Sequence, residues 1–134
     1  MKKHEKDMSG AEKEAIAVRV REIAEVVISS HAADRMNQKI VTSKEIEICL
    51  KYGHAVELHD EAGEMRAVIR HGFGRPKVAV CVVIGIETGT LVTCWKNSGS
   101  DNHKTLNTFA YDKSADIMSL LGGASSQGSR GGEL

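Results

Sequence analysis

Val56-Glu57-Leu58-His59-Asp60-Glu61-Ala62-Gly63-Glu64-Met65-Arg66-Ala67-Val68-Ile69-Arg70 is where the chain changes period. Before it, apolar residues recur every three or four positions; here they alternate. Val56 and Leu58 alternate with Glu57 and His59, and Met65, Ala67 and Ile69 alternate with Arg66 and Arg70. A period of two places successive side chains on opposite faces of a sheet, so two strands are predicted, hinged at Asp60-Glu61-Ala62-Gly63.

Downstream, Gly72-Phe73-Gly74-Arg75-Pro76 is loop chemistry. Val78 to Ile84 is apolar at every position, the mark of a strand buried on both faces and hence central. Thr88-Gly89 turns the chain into Leu91-Val92-Thr93-Cys94-Trp95-Lys96, in which alternation sets Thr93 and Trp95 on one face and Val92 and Cys94 on the other. Gly72 and Gly74 are not followed by a helix, so they are not read as a phosphate-binding loop.

Upstream, the helical signals are capping boxes. Ser9 with Glu12 opens a helix near 10–25, with Ile16, Val20, Ile23 and Val27 at helical spacing, and its end runs into Val26-Val27-Ile28, readable as a last turn or as a short extended entry. Ser29 or Ser30 caps a short helix through His31, Ala32, Ala33, Asp34, Arg35 and Met36. Thr42 with Glu45 opens a third helix near 43–52, with Gly53 placed for a left-handed stop. Ser114 to Leu121 is read as a closing helix, with Ile117, Leu120 and Leu121 as its buried edge. The expected fold is therefore α+β, with N-terminal helices packed on a roughly four-stranded antiparallel meander and a short C-terminal helix. Residues 1–9 are expected as an unstructured lead-in, 10–121 as one domain, and 122–134 as a loose Gly/Ser-rich tail.

Composition narrows the function classes. The chain has 134 residues, 41% apolar and 27% charged, enough for one self-sufficient core. Its longest apolar run, Val78 to Ile84, is far short of the roughly 20 residues that span a bilayer, so no membrane segment is expected. The charged start Met1-Lys2-Lys3-His4-Glu5-Lys6-Asp7 lacks the apolar core of a secretory signal, and cytoplasmic residence is the expectation. Cys49, Cys81 and Cys94 are odd in number, widely spaced and in apolar surroundings, so they read as reduced core residues without a disulfide framework. No Cys/His spacing suits a metal, and no metal or other cofactor is expected. Eighteen basic side chains balance eighteen acidic ones, which removes the global positive field of a non-specific nucleic-acid binder. Any RNA contact must be local.

Ser30-His31-Ala32-Ala33-Asp34-Arg35-Met36, followed by Lys39, Val41-Thr42 and Glu45-Ile46, resembles the pattern S-x-H-A-x-x-R-M-x-x-[KR]-G-[IV]-[ST]-x-x-[ED]-I of the domain of unknown function 4258, a bacterial and phage family. The likeness runs over roughly 28–97, ending at Leu91-Val92-Thr93-Cys94-Trp95-Lys96-Asn97, and Asp101 to Leu106 with Tyr111 is similar to an extension seen in some members. Ile40 departs from the pattern, standing where it has Gly. That family is grouped with barnase, EndoU, colicin-type and RelE-type ribonucleases, so the resemblance implies a toxin-like fold of helices before a four-stranded sheet. It also implies RNA as the partner, together with a protein partner such as an antitoxin.

The residues give that implication chemical content. His31 and Arg35 are four apart on a helix and share one face. Metal-independent RNA cleavage needs a base for the 2′-hydroxyl, an acid for the leaving oxygen and a cation at the phosphate; imidazole titrates near neutrality and guanidinium binds phosphate bidentately. His31 is thus the candidate acid or base and Arg35 the clamp, with His103 the candidate second catalytic group. Thr93 and Trp95 are candidate hydrogen-bond donor and base platform, and Lys39, Arg66 and Arg70 supply local charge. Against this stand plainer roles: His31 as a cap, Arg35 in an ion pair, Trp95 in the core and Arg66 with Arg70 on a solvated face. The expected function is a metal-independent ribonuclease-like or toxin-like domain acting on RNA. The alternative is a catalytically inactive binding module of the same fold, a phage or mobile-element accessory protein holding RNA or a protein partner.

Overall fold

The computed structural model describes residues 1–38, 40–61, 63–73, 78–98 and 111–126. In chain order the elements are β1 (Lys2–His4), a 3-10 turn (Glu5–Asp7), α1 (Gly10–Arg21), β2 (Val27–Ile28), α2 (Ser30–Asn37), α3 (Ser43–Tyr52), β3 (His54–Glu61), β4 (Glu64–Phe73), β5 (Val78–Gly85), β6 (Thr90–Ser98) and α4 (Ile117–Ser126). The class is α+β, and β3 to β6 form the antiparallel meander that the change of period predicts. The four-stranded expectation falls short at both edges. The sheet has six strands in the order β1-β3-β4-β5-β6-β2, with β1 antiparallel to β3 and β2 parallel to β6. It is therefore mixed.

Both additions lack the pattern by which strands are read. β2 is two residues long, with Val27 and Ile28 both exposed, and is held by the Val27 N–H on the Gly89 carbonyl at 2.8 Å. Gly89 has φ +74 and would set a Cβ 2.5 Å from the Glu25 carbonyl, so the turn into β6 requires glycine twice over. Consequently α1 stops at Arg21, short of the expected residue 25, and Val27 leaves the helical stripe for the sheet.

β1 is charged, which is why residues 1–9 read as unstructured. Their order comes from one carboxylate. Glu12 closes the α1 capping box by accepting from the Ser9 N–H at 2.9 Å, receives Lys3 Nζ at 3.2 Å, and accepts the Ile117 N–H at 3.2 Å. Lys3 is 5% exposed and also donates to the Ala115 carbonyl at 2.7 Å, so its charge is paired and hydrogen-bonded where it is buried. The N-terminal strand, α1 and the start of α4 are thereby joined. α4 itself begins later and ends later than expected; Ile117 and Leu121 are buried but Leu120 is exposed. Residues 127–134 of the expected tail lie outside the described residues.

α1, α2, α3 and α4 cover one face of the sheet. Ile16 and Val20 from α1, Ala32 from α2, Ile46 and Cys49 from α3 and Ile117 from α4 meet Leu58, Ile69, Val80, Val82, Ile84, Leu91 and Cys94 in the main core. Gly53 ends α3, though not in the left-handed conformation expected: its φ is −73 and ψ 168. Its need for hydrogen in place of a side chain is steric, because a Cβ would lie 2.4 Å from the Cys49 carbonyl, 2.7 Å from Ile69 Cγ2 and 2.9 Å from the Arg70 carbonyl. No helix among the described residues is long and apolar enough to cross a membrane.

Candidate functional site

Six candidate positions fall within the described residues, and the sheet divides them. Lys39 and His103 lie outside. α2 carries His31 and Arg35 on the helix-covered side, at the β6 edge. Ser29, not His31, is the helix cap: its Oγ accepts from the Ala32 N–H at 3.1 Å and donates to the Val92 carbonyl at 2.8 Å, pinning the first turn of α2 to β6. At the other end the Ile40 N–H donates to the Arg35 carbonyl at 3.1 Å, a six-residue closure of the kind that stops helices. Ile40 is half-buried against the main core. The departure from the family's Gly is thus absorbed by packing its side chain.

Ala32 is buried and Met36 packs on the core, so α2 faces inward along that stripe and holds His31 and Arg35 on the neighbouring one. His31 is exposed, and its side chain makes no hydrogen bond among the described residues. Arg35 is half-buried and has no ion pair among them. Its charge is felt by Cys94: burial pushes that thiol up, and the Arg35 guanidinium pulls the other way. Cys94 belongs to the helix-covered core, which locates Arg35 on that side of the sheet.

Thr93 and Trp95 stand on the other side. In register, Thr93 is opposite Val83 and Trp95 opposite Cys81, while Val82 and Ile84, on either side of Val83, point into the main core. Trp95 packs, half-buried, on a second apolar cluster of Val56, Val68 and Val83. Val92 joins it, contrary to the expected pairing of Val92 with Cys94. A bulge between Val83 and Ile84 inserts one residue in β6, which breaks strict alternation and turns Val92 to the same face as Trp95. A matching irregularity in β3 brings Val56 to that cluster.

The same second face carries Arg66, part-buried and ion-paired, and Arg70, which is buried. Arg66 Nε donates to Glu64 Oε1 at 3.0 Å, and Glu64 is held also by the Thr88 hydroxyl. That hydroxyl and then Arg66 keep the Glu64 carboxyl below its usual range, although burial opposes them. Arg70 is 9% exposed, in register with His54 and Cys81. Toward β1, Tyr111 donates to Glu57 Oε1 at 2.8 Å, stacks edge-on against His4 with ring centroids 5.4 Å apart, and lies beneath Lys2 Nζ at 5.8 Å. His59 Nε2 is 3.6 Å from Glu57 Oε2. Burial, and then the neighbouring Glu57 carboxylate, push the Tyr111 hydroxyl well above its ordinary value. Sequence reading missed this corner because its members come from β1, β3 and residue 111, with no shared period.

Cys49, Cys81 and Cys94 are buried free thiols. Burial pushes Cys49 up to about 12, and its Sγ lies 3.4 Å from the Val80 carbonyl, so it is an inert packing residue. Among the described residues no three of His, Cys, Asp and Glu are grouped so as to hold a metal ion.

The sequence model of the family Domain of unknown function (DUF4258) matches residues 28–95, just over half of the chain. The chain belongs to the DUF4258 family. No curated protein and no solved structure matches it. The DUF4258 match begins at β2, takes in α2 and α3, and ends at Trp95 in β6. It therefore contains both His31 with Arg35 and Thr93 with Trp95, on opposite sides of the sheet. β1, α1 and α4 flank the DUF4258 region and are tied together through Glu12.

Proposed function

We propose that this DUF4258 protein is a ribonuclease-like or toxin-like domain that acts on RNA without a metal, and that α2 supplies its phosphate contact. The observation that carries the reading is Arg35, a half-buried residue without an ion pair among the described residues, one helical turn from the exposed His31. A cation held out of full hydration without a carboxylate has reason to meet an anionic ligand, and a guanidinium matches phosphate in two hydrogen bonds. Supporting it further, Ser29 takes the capping role, and among the described residues Arg35 has no carboxylate partner. In cleavage, His31 would move the proton at the 2′-hydroxyl or leaving oxygen and Arg35 would hold the phosphate charge. A RelE- or barnase-like arrangement belongs to the same proposal.

The second reading is a non-catalytic binding module of this fold, holding RNA or a protein partner such as an antitoxin. It is favoured by one observation: Thr93 and Trp95, which would complete a cleft, lie across the sheet from His31. Incubating the purified protein with structured and single-stranded RNA in a chelator separates the two. Cleavage leaving a 2′,3′-cyclic phosphate, abolished in His31→Ala and Arg35→Ala at unchanged melting temperature, is expected for the enzyme. A positioned acid or base contributes typically about 10²–10⁴-fold, so its loss would be plain. Salt-sensitive retention of RNA without cleavage would leave only the binding module.

A further inference from the structure

Tyr52 is 64% exposed, the most open of the large apolar side chains among the described residues. It is the last residue of α3, whose buried stripe is Ile46 and Cys49, so the helix turns it outward. The position is rigid, because the next residue is Gly53, wedged against the backbone of Cys49 and Arg70. An aromatic ring left in water gains little from folding.

A cation lies over its ring. Lys51 Nζ lies 5.6 Å from the ring centroid, and the His71 ring is 6.5 Å away at a 43° tilt. Tyr52 also forms one wall of a 260 Å³ cleft against the first turns of α1, lined in part by Lys13, Glu14, Arg21 and His54. Glu14 is taken by Arg21 at 3.4 Å. Arg21 lines as well a 440 Å³ apolar cleft between α1, α2 and α3, which reaches Met36, the residue beside Arg35. Arg21 thus lines both clefts, and the second reaches the residue beside the proposed phosphate contact on α2.

An apolar peptide would offer nothing to Lys51 and Lys13, and a duplex has no free base face to offer. An unpaired nucleotide offers both a π-face and an adjacent phosphate. We infer that Tyr52 is a stacking platform for an unpaired base of single-stranded RNA, with Lys51 and Lys13 meeting the neighbouring phosphates. The inference rests on the RNA reading above and adds a second, sequence-tolerant contact to it.

The test is fluorescence anisotropy with a labelled single strand of about 12 nucleotides, within the site sizes of such grooves, and with the same sequence as a duplex. Tyr52→Ala should bind the single strand about tenfold more weakly, and Tyr52→Phe should bind it as wild type does, because the ring and not the hydroxyl is used. Both variants should melt as wild type, given the exposure of the side chain. Unchanged single-strand affinity in Tyr52→Ala would overturn the platform and leave the RNA reading standing. An equal loss for duplex would also overturn it, as duplex bases cannot stack there. Wild-type protein that retains neither RNA would sink the RNA reading and the platform with it.

Discussion

The two faces of the sheet are held by different physics. The helix-covered face is apolar from β3 to β6, with Leu58, Ile69, Val80, Val82, Ile84 and Leu91 all fully or almost fully buried. The second face has a smaller apolar cluster of Val56, Val68 and Val83, flanked by buried His4, His59 and Arg70 and by the Tyr111–Glu57 bond. Hydrophobic burial is non-directional and tolerates no intruding volume, whereas buried polar groups stand or fall by individual partners. The first face should therefore fail by sterics and the second by lost hydrogen bonds.

Gly53→Ala should have the largest effect. Its Cβ would meet two backbone carbonyl oxygens and Ile69 in contact with the helix-covered core, and backbone cannot turn aside. A cost of about 3 kcal/mol is expected, lowering the melting temperature by roughly 10 °C. A change under about 1 kcal/mol would mean that α3 is less firmly seated than described. On the second face, Tyr111→Phe removes the hydroxyl from Glu57 and keeps the ring against His4; a loss of about 1 kcal/mol by urea unfolding is expected, with an unchanged slope. A loss as large as that of Gly53→Ala would erase the distinction between the faces.

The smallest effect is in pH. Burial opposes ionisation of Glu12, but the Ser9 N–H, Lys3 and the Ile117 N–H together hold its carboxyl below the ordinary range. A carboxyl depressed in the folded state stabilises fully above its unfolded value and loses that contribution as pH falls through the folded one. Unfolding free energy should thus decline as pH drops below about 4, and more gently in Glu12→Gln. Equal declines in both would remove Glu12 as the tie between β1, α1 and α4.

The helix-covered face was legible because, apart from the bulges at Val56 and Val92, its strands are apolar at alternate positions or throughout, and every helix before it opens on a capping residue that the structure uses: Ser9, Ser29 and Thr42. The edges were not. Lys2-Lys3-His4 pairs through backbone alone, and its order depends on Glu12, a contact nine residues away that leaves no periodic trace. At the site, the i,i+4 relation of His31 and Arg35 follows from the helix, but their separation from Thr93 and Trp95 is a tertiary fact: nothing local says on which face of the sheet α2 packs. The bulge that carries Val92 across is likewise silent in a run of residues that all suit a strand. Tyr52 did leave a signal, an aromatic off the apolar stripe between Lys51 and His54, ahead of a glycine.

The proposed reading makes the division of the sheet a division between function and support. In that reading Arg35 and His31 meet the RNA phosphate, while Thr93 and Trp95 belong to the second face and its packing. The direct measurement is RNA affinity as a function of salt for Arg35→Ala and Thr93→Ala, both at temperatures where each variant is folded. Arg35→Ala should weaken binding and reduce the slope of log affinity against log salt by about 1, as expected for one lost phosphate contact, and Thr93→Ala should leave both unchanged. Loss of affinity and slope in Thr93→Ala, with Arg35→Ala behaving as wild type, would contradict the account and move the RNA to the other face of the sheet.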